Sequence, residues 1–202
     1  MIASEQDPVA RAIWRDALDD REAEQLVFVD ESGANITLTP RYGRALRGQR
    51  CIGQVPRNWG KNTTLIAAMT QAGVQTAAVI EGAMDRPVFD QFVEQFLVPT
   101  LQPGQIVIWD NLSVHKSLDA VERIEAAECQ VVFLPPYSPD FNPIEQAFSK
   151  LKAHLRRANQ RTVEGLWEAI GTGLDQITAQ DARGWFAHCG YTGDGQSLCS
   201  GV

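Results

Sequence analysis

The sequence predicts an α/β domain with a mixed sheet, an antiparallel meander followed by parallel strands, and helices flanking it. Three compact apolar runs rich in β-branched and aromatic residues, at 25–29, 105–109 and 130–134, read as buried strands. The last two are separated by a stretch of helical period, and strand, helix, strand in that order makes a parallel pair. Between the first two, short strand candidates at 36–38, 64–69 and 76–80 alternate with Gly- and Arg-rich connections, which is the pattern of a meander.

Each helix has a local signature. Residues 8–19 form a short amphipathic pattern. Asp85 is placed to cap a helix whose apolar positions Val88, Phe89, Phe92, Val93, Phe96 and Leu97 follow the helical spacing, with Pro87 tolerated in its first turn and Pro99 and Pro103-Gly104 ending it. Ser117 caps a helix to about Glu128. Residues 134–143, LPPYSPDFNP, are neither helix nor sheet interior, because each Pro lacks a donor and restricts the residue before it. Helices over 143–157, 162–177 and 178–189 follow this stiff connector. The expected organisation is an N-terminal helical extension over 1–23, one domain over 24–190 and a flexible tail over 191–202, whose residues include little that a core would hold.

At 202 residues, 44% hydrophobic and 21% charged, the composition excludes disorder, collagen and coiled coil. No apolar stretch approaches the ~20 residues of a spanning helix, and the first residues lack a secretory core, so a cytoplasmic protein is expected, without a membrane partner. Cys51, Cys129, Cys189 and Cys199 are too scattered for a zinc ribbon or disulfide framework and read as reduced thiols.

A net charge of −7 argues against a nucleic-acid partner, yet the average hides a segregation. From Ser32 to Ile80 there is no acid, while Arg41, Arg44, Arg47, Arg50, Arg57 and Lys61 contribute +6. A second acid-free stretch from Gln146 to Val163 holds Lys150, Lys152, Arg156, Arg157 and Arg161. Either run alone reads as solvated surface; two of them beside candidate acids fit phosphate binding.

Asp30 and Asp110 each end an apolar strand, where an ionised carboxylate is costly unless a partner or a metal compensates it. Taken singly, each is equally an ordinary turn-former or cap. Glu145 has two readings as well. With Asn142 as cap and Pro143 at the first helical position it completes a capping box. It also heads a polar stripe, Glu145, Ser149, Lys152 and Arg156, opposite a buried face of Ile144, Ala147, Phe148, Leu151 and Leu155. Three carboxylates from two strand ends and a helix make a hard-oxygen donor set suited to Mg²⁺, and two such ions serve phosphodiester chemistry.

The segments VFVDESG, VIWDNLSVHKS and FLPPYSPDFNPIEQAFSKLK resemble the three signatures of the DDE endonuclease domain of insertion-sequence transposases in the mariner-like superfamily. Asp110 and Glu145 have 34 residues between them, a spacing typical of one branch. YGRALRGQR near residue 42 and FAHCGY near residue 186 extend the resemblance from about Gln25 to Tyr191. It implies a ribonuclease H-like fold and two Mg²⁺ ions, replaceable by Mn²⁺, held by the catalytic residues Asp30, Asp110 and Glu145. It further implies cut-and-paste transposition: DNA is nicked at the element's end and the freed 3′-hydroxyl attacks target DNA, usually at TA. The implied partners are double-stranded DNA and a second copy in the active complex, with association at the nucleoid. Such transposases carry N-terminal helix-turn-helix domains, whereas about 24 residues precede the first strand here, so end recognition is expected to be encoded elsewhere.

Around the acids, Asn111, His115 and Asn142 are candidates to orient a carboxylate or touch substrate, and each also fits a turn or cap. The basic candidates for DNA are Arg41, Arg44, Arg47, Arg50, Arg57, Lys61, Lys150, Lys152, Arg156 and Arg157, with Trp59 a possible base-stacking side chain amid them. Trp109, Trp167 and Trp185 are assigned to packing, His154 and His188 to surface or packing roles, and Tyr137 with its prolines to setting the approach of the Glu145 helix. The alternatives to a transposase domain are a ribonuclease H-like nuclease that cuts without joining, and a defective remnant that only binds DNA or a partner.

Overall fold

A computed structural model describes residues 6–40, 42–58, 60–111 and 117–192. One sheet holds β1 (Leu26–Ala34), β2 (Thr63–Thr70), β3 (Gly73–Glu81), β4 (Ile106–Trp109) and β5 (Gln130–Phe133) in the order β3-β2-β1-β4-β5. β1, β2 and β3 pair antiparallel, and β1, β4 and β5 pair parallel, as the meander and the crossover require. Residues 36–38 are not a strand. Asn35 Oδ1 accepts from both the amide and the hydroxyl of Thr37, at 3.0 and 2.6 Å, and this local turn removes the backbone from the ladder.

The helices are α1 (Pro8–Asp19), α2 (Arg86–Phe92), α3 (Leu118–Ala126), α4 (Ile144–Ala158), α5 (Val163–Leu174) and α6 (Ala179–His188). Asp7, Asp85, Ser117, Thr162 and Thr178 cap their N-termini with side-chain oxygens. α2 continues through a π turn over Val93–Leu97 that leaves Phe96 exposed and stacked on Phe92, at 6.1 Å, rather than in the core. Among the described residues no helix is long and apolar enough to cross a membrane, and Cys51, Cys129 and Cys189 are free thiols.

Strand alternation sorts the core onto the two faces of the sheet. Leu26 and Phe28 of β1 and Ile106 and Ile108 of β4 join the cluster built with α1, α4, α5 and α6. Their odd-numbered neighbours Val27, Val29, Val107 and Trp109 join the cluster built with Phe89 of α2 and with Ala120 and Ile124 of α3. Both middle strands are therefore apolar on both faces, which is why they read as continuous hydrophobic runs.

Two assignments at the edges change. Tyr191 belongs to the core rather than to a tail: it is buried and its hydroxyl donates to the Phe141 carbonyl at 2.6 Å. Trp167 is 40% exposed, tethered by its indole N–H to Thr63 Oγ1 at 3.2 Å, whereas Trp109 is fully buried and Trp185 packs partly against the core.

Candidate active site

Asp30 lies two residues beyond Phe28 on β1, and Asp110 two beyond Ile108 at the end of β4. The period of two therefore directs both carboxylates to the face on which α4 packs over β1. Glu145 is exposed in the first turn of α4. All three line one cleft of about 460 Å³, together with Asn111, Asn142 and residues 134–139 of the proline-rich connector.

Asp30 is half-buried and held on both oxygens. Its Oδ1 accepts from the Glu31 amide at 2.7 Å and its Oδ2 from Asn142 Nδ2 at 2.9 Å. Burial, and then the charge of Glu145, push its carboxyl up to about 7; Glu31 and Asp110 add to the rise, while the Glu31 amide opposes it. A carboxylate disfavoured by burial and by neighbouring carboxylates is what a divalent cation relieves, so the donor chemistry fits the metal the sequence implied. Among the described residues, no three His, Cys, Asp or Glu side chains close a cation cage as they stand.

The capping box at Asn142 and Glu145 is absent. The helix cap is Pro143, with no side-chain bond; the Asn142 side chain is oriented by its Nδ2 donation to Asp30, and its Oδ1 does not accept from the first turn of α4. Asn142 is buried and its Oδ1 has no hydrogen-bond partner. Asn111 is exposed at the mouth of the cleft. His115, Arg41 and Trp59 lie outside the described residues.

The polar stripe of α4 is as its spacing requires: Ile144, Ala147, Phe148, Leu151 and Leu155 are buried, while Lys152 and Arg156 are half-exposed on the Glu145 side. Arg157 is exposed. The Lys150 ammonium is bound to Asp181 at 2.6 Å and to the Gln176 carbonyl at 2.9 Å, tying α4 to α6. Arg44, Arg47, Arg50 and Arg57 are exposed on the irregular connection between β1 and β2; Lys61 at its end pairs with Glu81 at 2.8 Å. Arg161, counted in the second basic stretch, fastens that connection to the turn after α4, donating to the carbonyls of Ile36, Leu38 and Gln54 and to the Asn159 side chain.

The connector itself is held from outside. Gln6 donates to the Tyr137 carbonyl at 2.8 Å, and Arg11 grips Asp140 with both guanidinium nitrogens, at 3.0 and 2.6 Å. Nothing in the spacing of these residues announces them, because they lie 129 or more positions apart and the reading by period sees only local patterns.

The family described as DDE superfamily endonuclease matches residues 25–166. The chain belongs to that family. The Tcb2 transposase of Caenorhabditis briggsae is 25% identical over 186 residues, which cover 79% of this chain and 68% of that protein. Among solved structures, the Mos1 transposase paired-end complex with left transposon end aligns with a TM-score of 0.76 at 18% identity, over 94% of this chain and 61% of that one. The catalytic domain of Mos1 mariner transposase aligns at 0.66 and 15% identity, over 98% of this chain and the whole of that one. Mos1 paired-end complexes have been solved with Mn and with Mg. In family the chain is thus a DDE superfamily endonuclease, and in fold it shares the ribonuclease H-like architecture of the Mos1 catalytic domain; it spans about three fifths of the full Mos1 chain.

Proposed function

We propose that this DDE domain, residues 24–190, cuts DNA at the ends of an insertion sequence and joins the freed 3′-hydroxyl to target DNA, using Asp30, Asp110 and Glu145 as its catalytic carboxylates. The observation that carries the reading is the convergence of these three side chains on one cleft, with Asp30 pushed up by burial and then by its acidic neighbours. Asp30, Asp110 and Glu145 would hold two Mg²⁺, or Mn²⁺ in their place, and the ions supply Lewis-acid stabilisation of the attacking and leaving oxygens.

The chain's own residues do the rest. Asn142 and the Glu31 amide fix the Asp30 carboxyl plane. Asn111 stands at the mouth of the cleft, where a phosphodiester enters. Lys152 and Arg156 extend from Glu145 along α4 and offer a track for the DNA backbone, with Arg157 and the exposed arginines of the β1–β2 connection beside it. In the first step water adds to phosphorus as the 3′ oxygen departs; in the second that 3′ oxygen attacks a target phosphodiester, conserving the number of bonds. On the family resemblance, the DNA substrates are element ends and a TA target, and the working assembly is a homodimer at the nucleoid.

The test is a strand-transfer assay with DNA carrying a pre-cut 3′-hydroxyl end and Mg²⁺ or Mn²⁺. Joined product that disappears on chelation and in Asp110→Asn supports the reading. Cutting with no joining would replace it with a nuclease of the same fold, and binding without either reaction with a DNA-binding remnant.

A further inference from the structure

We propose that Arg11 is a positioning residue of the DDE reaction: from α1 it clamps Asp140 and Phe141, and through them holds the connector that presents Asn142 and Glu145 to Asp30. The inference rests on the cleft being the metal site argued above.

The connector has little structure of its own. It leaves β5 at Leu134, passes Tyr137 at a φ of 56°, makes one 3₁₀ turn over Pro139–Phe141 and enters α4 at Pro143. Its internal bonds are few: Ser138 Oγ to the Pro136 carbonyl at 3.2 Å, and two turn bonds of 3.0 Å into Phe141 and Asn142. A left-handed Tyr costs about 1 kcal/mol or more and persists only where surrounding contacts impose it. Those contacts come from α1 and the end of the chain. Arg11 makes the bidentate bond to Asp140 and lies 3.9 Å over the Phe141 ring; Arg15 lies 4.1 Å over the same ring, and Trp14 stacks on it at 5.2 Å and 12°. Arg15 also donates to the Cys189 carbonyl at 2.7 Å, an approach that Gly190 permits because a Cβ there would meet the guanidinium at 2.7 Å.

Phe141 is the residue before Asn142 and stands four before Glu145, so its place fixes both. A fork-shaped guanidinium does what an ammonium cannot, because it bonds both oxygens of Asp140 while its carbon lies over the Phe141 ring. The clamp therefore transmits to the site with no contact between Arg11 and the cleft.

The experiment compares the wild-type chain with Arg11→Gln, Asp140→Asn and the double variant. It reads hydrogen exchange over 137–142 without metal, and Mn²⁺ binding by electron paramagnetic resonance. Asp140→Asn removes a half-exposed surface charge and preserves side-chain volume, so it tests the clamp even where Arg11→Gln folds poorly. The proposal expects exchange at Phe141 and Asn142 to rise about tenfold in each single variant, with β1 and β2 amides unmoved. It expects Mn²⁺ affinity to fall by about tenfold, and the double variant to be no worse than either single one. Unchanged connector exchange in both single variants overturns it, and so does a loosened connector with undiminished Mn²⁺ affinity. Absence of Mn²⁺ binding by the wild-type chain itself overturns the metal-site reading, and the proposal with it.

Discussion

Asn142 Nδ2 donates to Asp30 Oδ2 at 2.9 Å across 112 positions of sequence, joining the connector before α4 to the middle of the central strand. The amide meets the carboxyl that is most strongly disfavoured as an anion, and its own carbonyl oxygen stays buried without a partner. The site is thus assembled under electrostatic tension that its ligands are suited to release.

That tension has a sign. A carboxyl raised from 3.8 to about 7 on folding contributes stability that is fully present below its unfolded value and is lost as pH rises through the folded one. In chelator-treated protein the unfolding free energy is expected to fall between about pH 4 and pH 7, and Asp30→Asn to flatten that fall, gaining about 1–3 kcal/mol at neutral pH. Urea denaturation across this range measures it; a pH profile identical in the variant would remove Asp30 as its source. Added Mg²⁺ is expected to raise the melting temperature of the wild type and not of the variant.

Asp110→Asn changes a charge and no volume at the end of β4. Metal-dependent nicking is expected to drop to background while the circular dichroism melt is kept within a few degrees. Wild-type nicking by the variant would take Asp110 out of the mechanism.

Lys152 and Lys150 are two residues apart on α4 and are expected to behave oppositely. Lys152→Ala with Arg156→Ala should weaken DNA binding and reduce the slope of log K against log salt by roughly 1–2. Lys150→Ala should leave that slope alone and lower stability, because its ammonium is bound to Asp181 and Gln176. Equal slopes in all three proteins would make the stripe an ordinary solvated face.

Thr178 and Asp181 form a reciprocal capping box on α6, and the Lys150 contact together with that cap holds the Asp181 carboxyl down to about 2. A depressed carboxyl contributes stability above its unfolded value that is lost as pH falls toward the folded one, so this tie fails between about pH 4 and pH 2. Thr178→Ala is expected to cost about 1 kcal/mol at neutral pH by chemical denaturation. A change within error would mean the carboxylate alone carries the cap.

The strands that carry Asp30 and Asp110 were legible because both are apolar runs ending in an acid, and the face of α4 was legible because Ile144, Phe148, Leu151 and Leu155 recur at helical spacing. The cap at Asn142 was misread since its local sequence suits a capping box, and only the fold brings Asp30 within reach of Nδ2, which orients the side chain toward β1 instead of the first turn of α4. Residues 36–38 carry strand-forming side chains, but Asn35 bonds the backbone first. Lys150 looks like the other cations of its basic run until α6 sets Asp181 beside it. The clamp of Arg11 on Asp140 is a product of tertiary packing alone, with no period or motif to signal it.

Because both strand carboxylates reach the cleft by even numbering from Leu26 and Ile106, the chemistry depends on parity. Deleting one codon inside β1 before Asp30 would send that acid to the opposite face while the remaining apolar residues could still fill a sheet, since this strand is greasy on both sides. Single-residue deletions there would then empty the cleft of Asp30 before they cost the fold, leaving a folded domain with one carboxylate on the wrong side of its sheet.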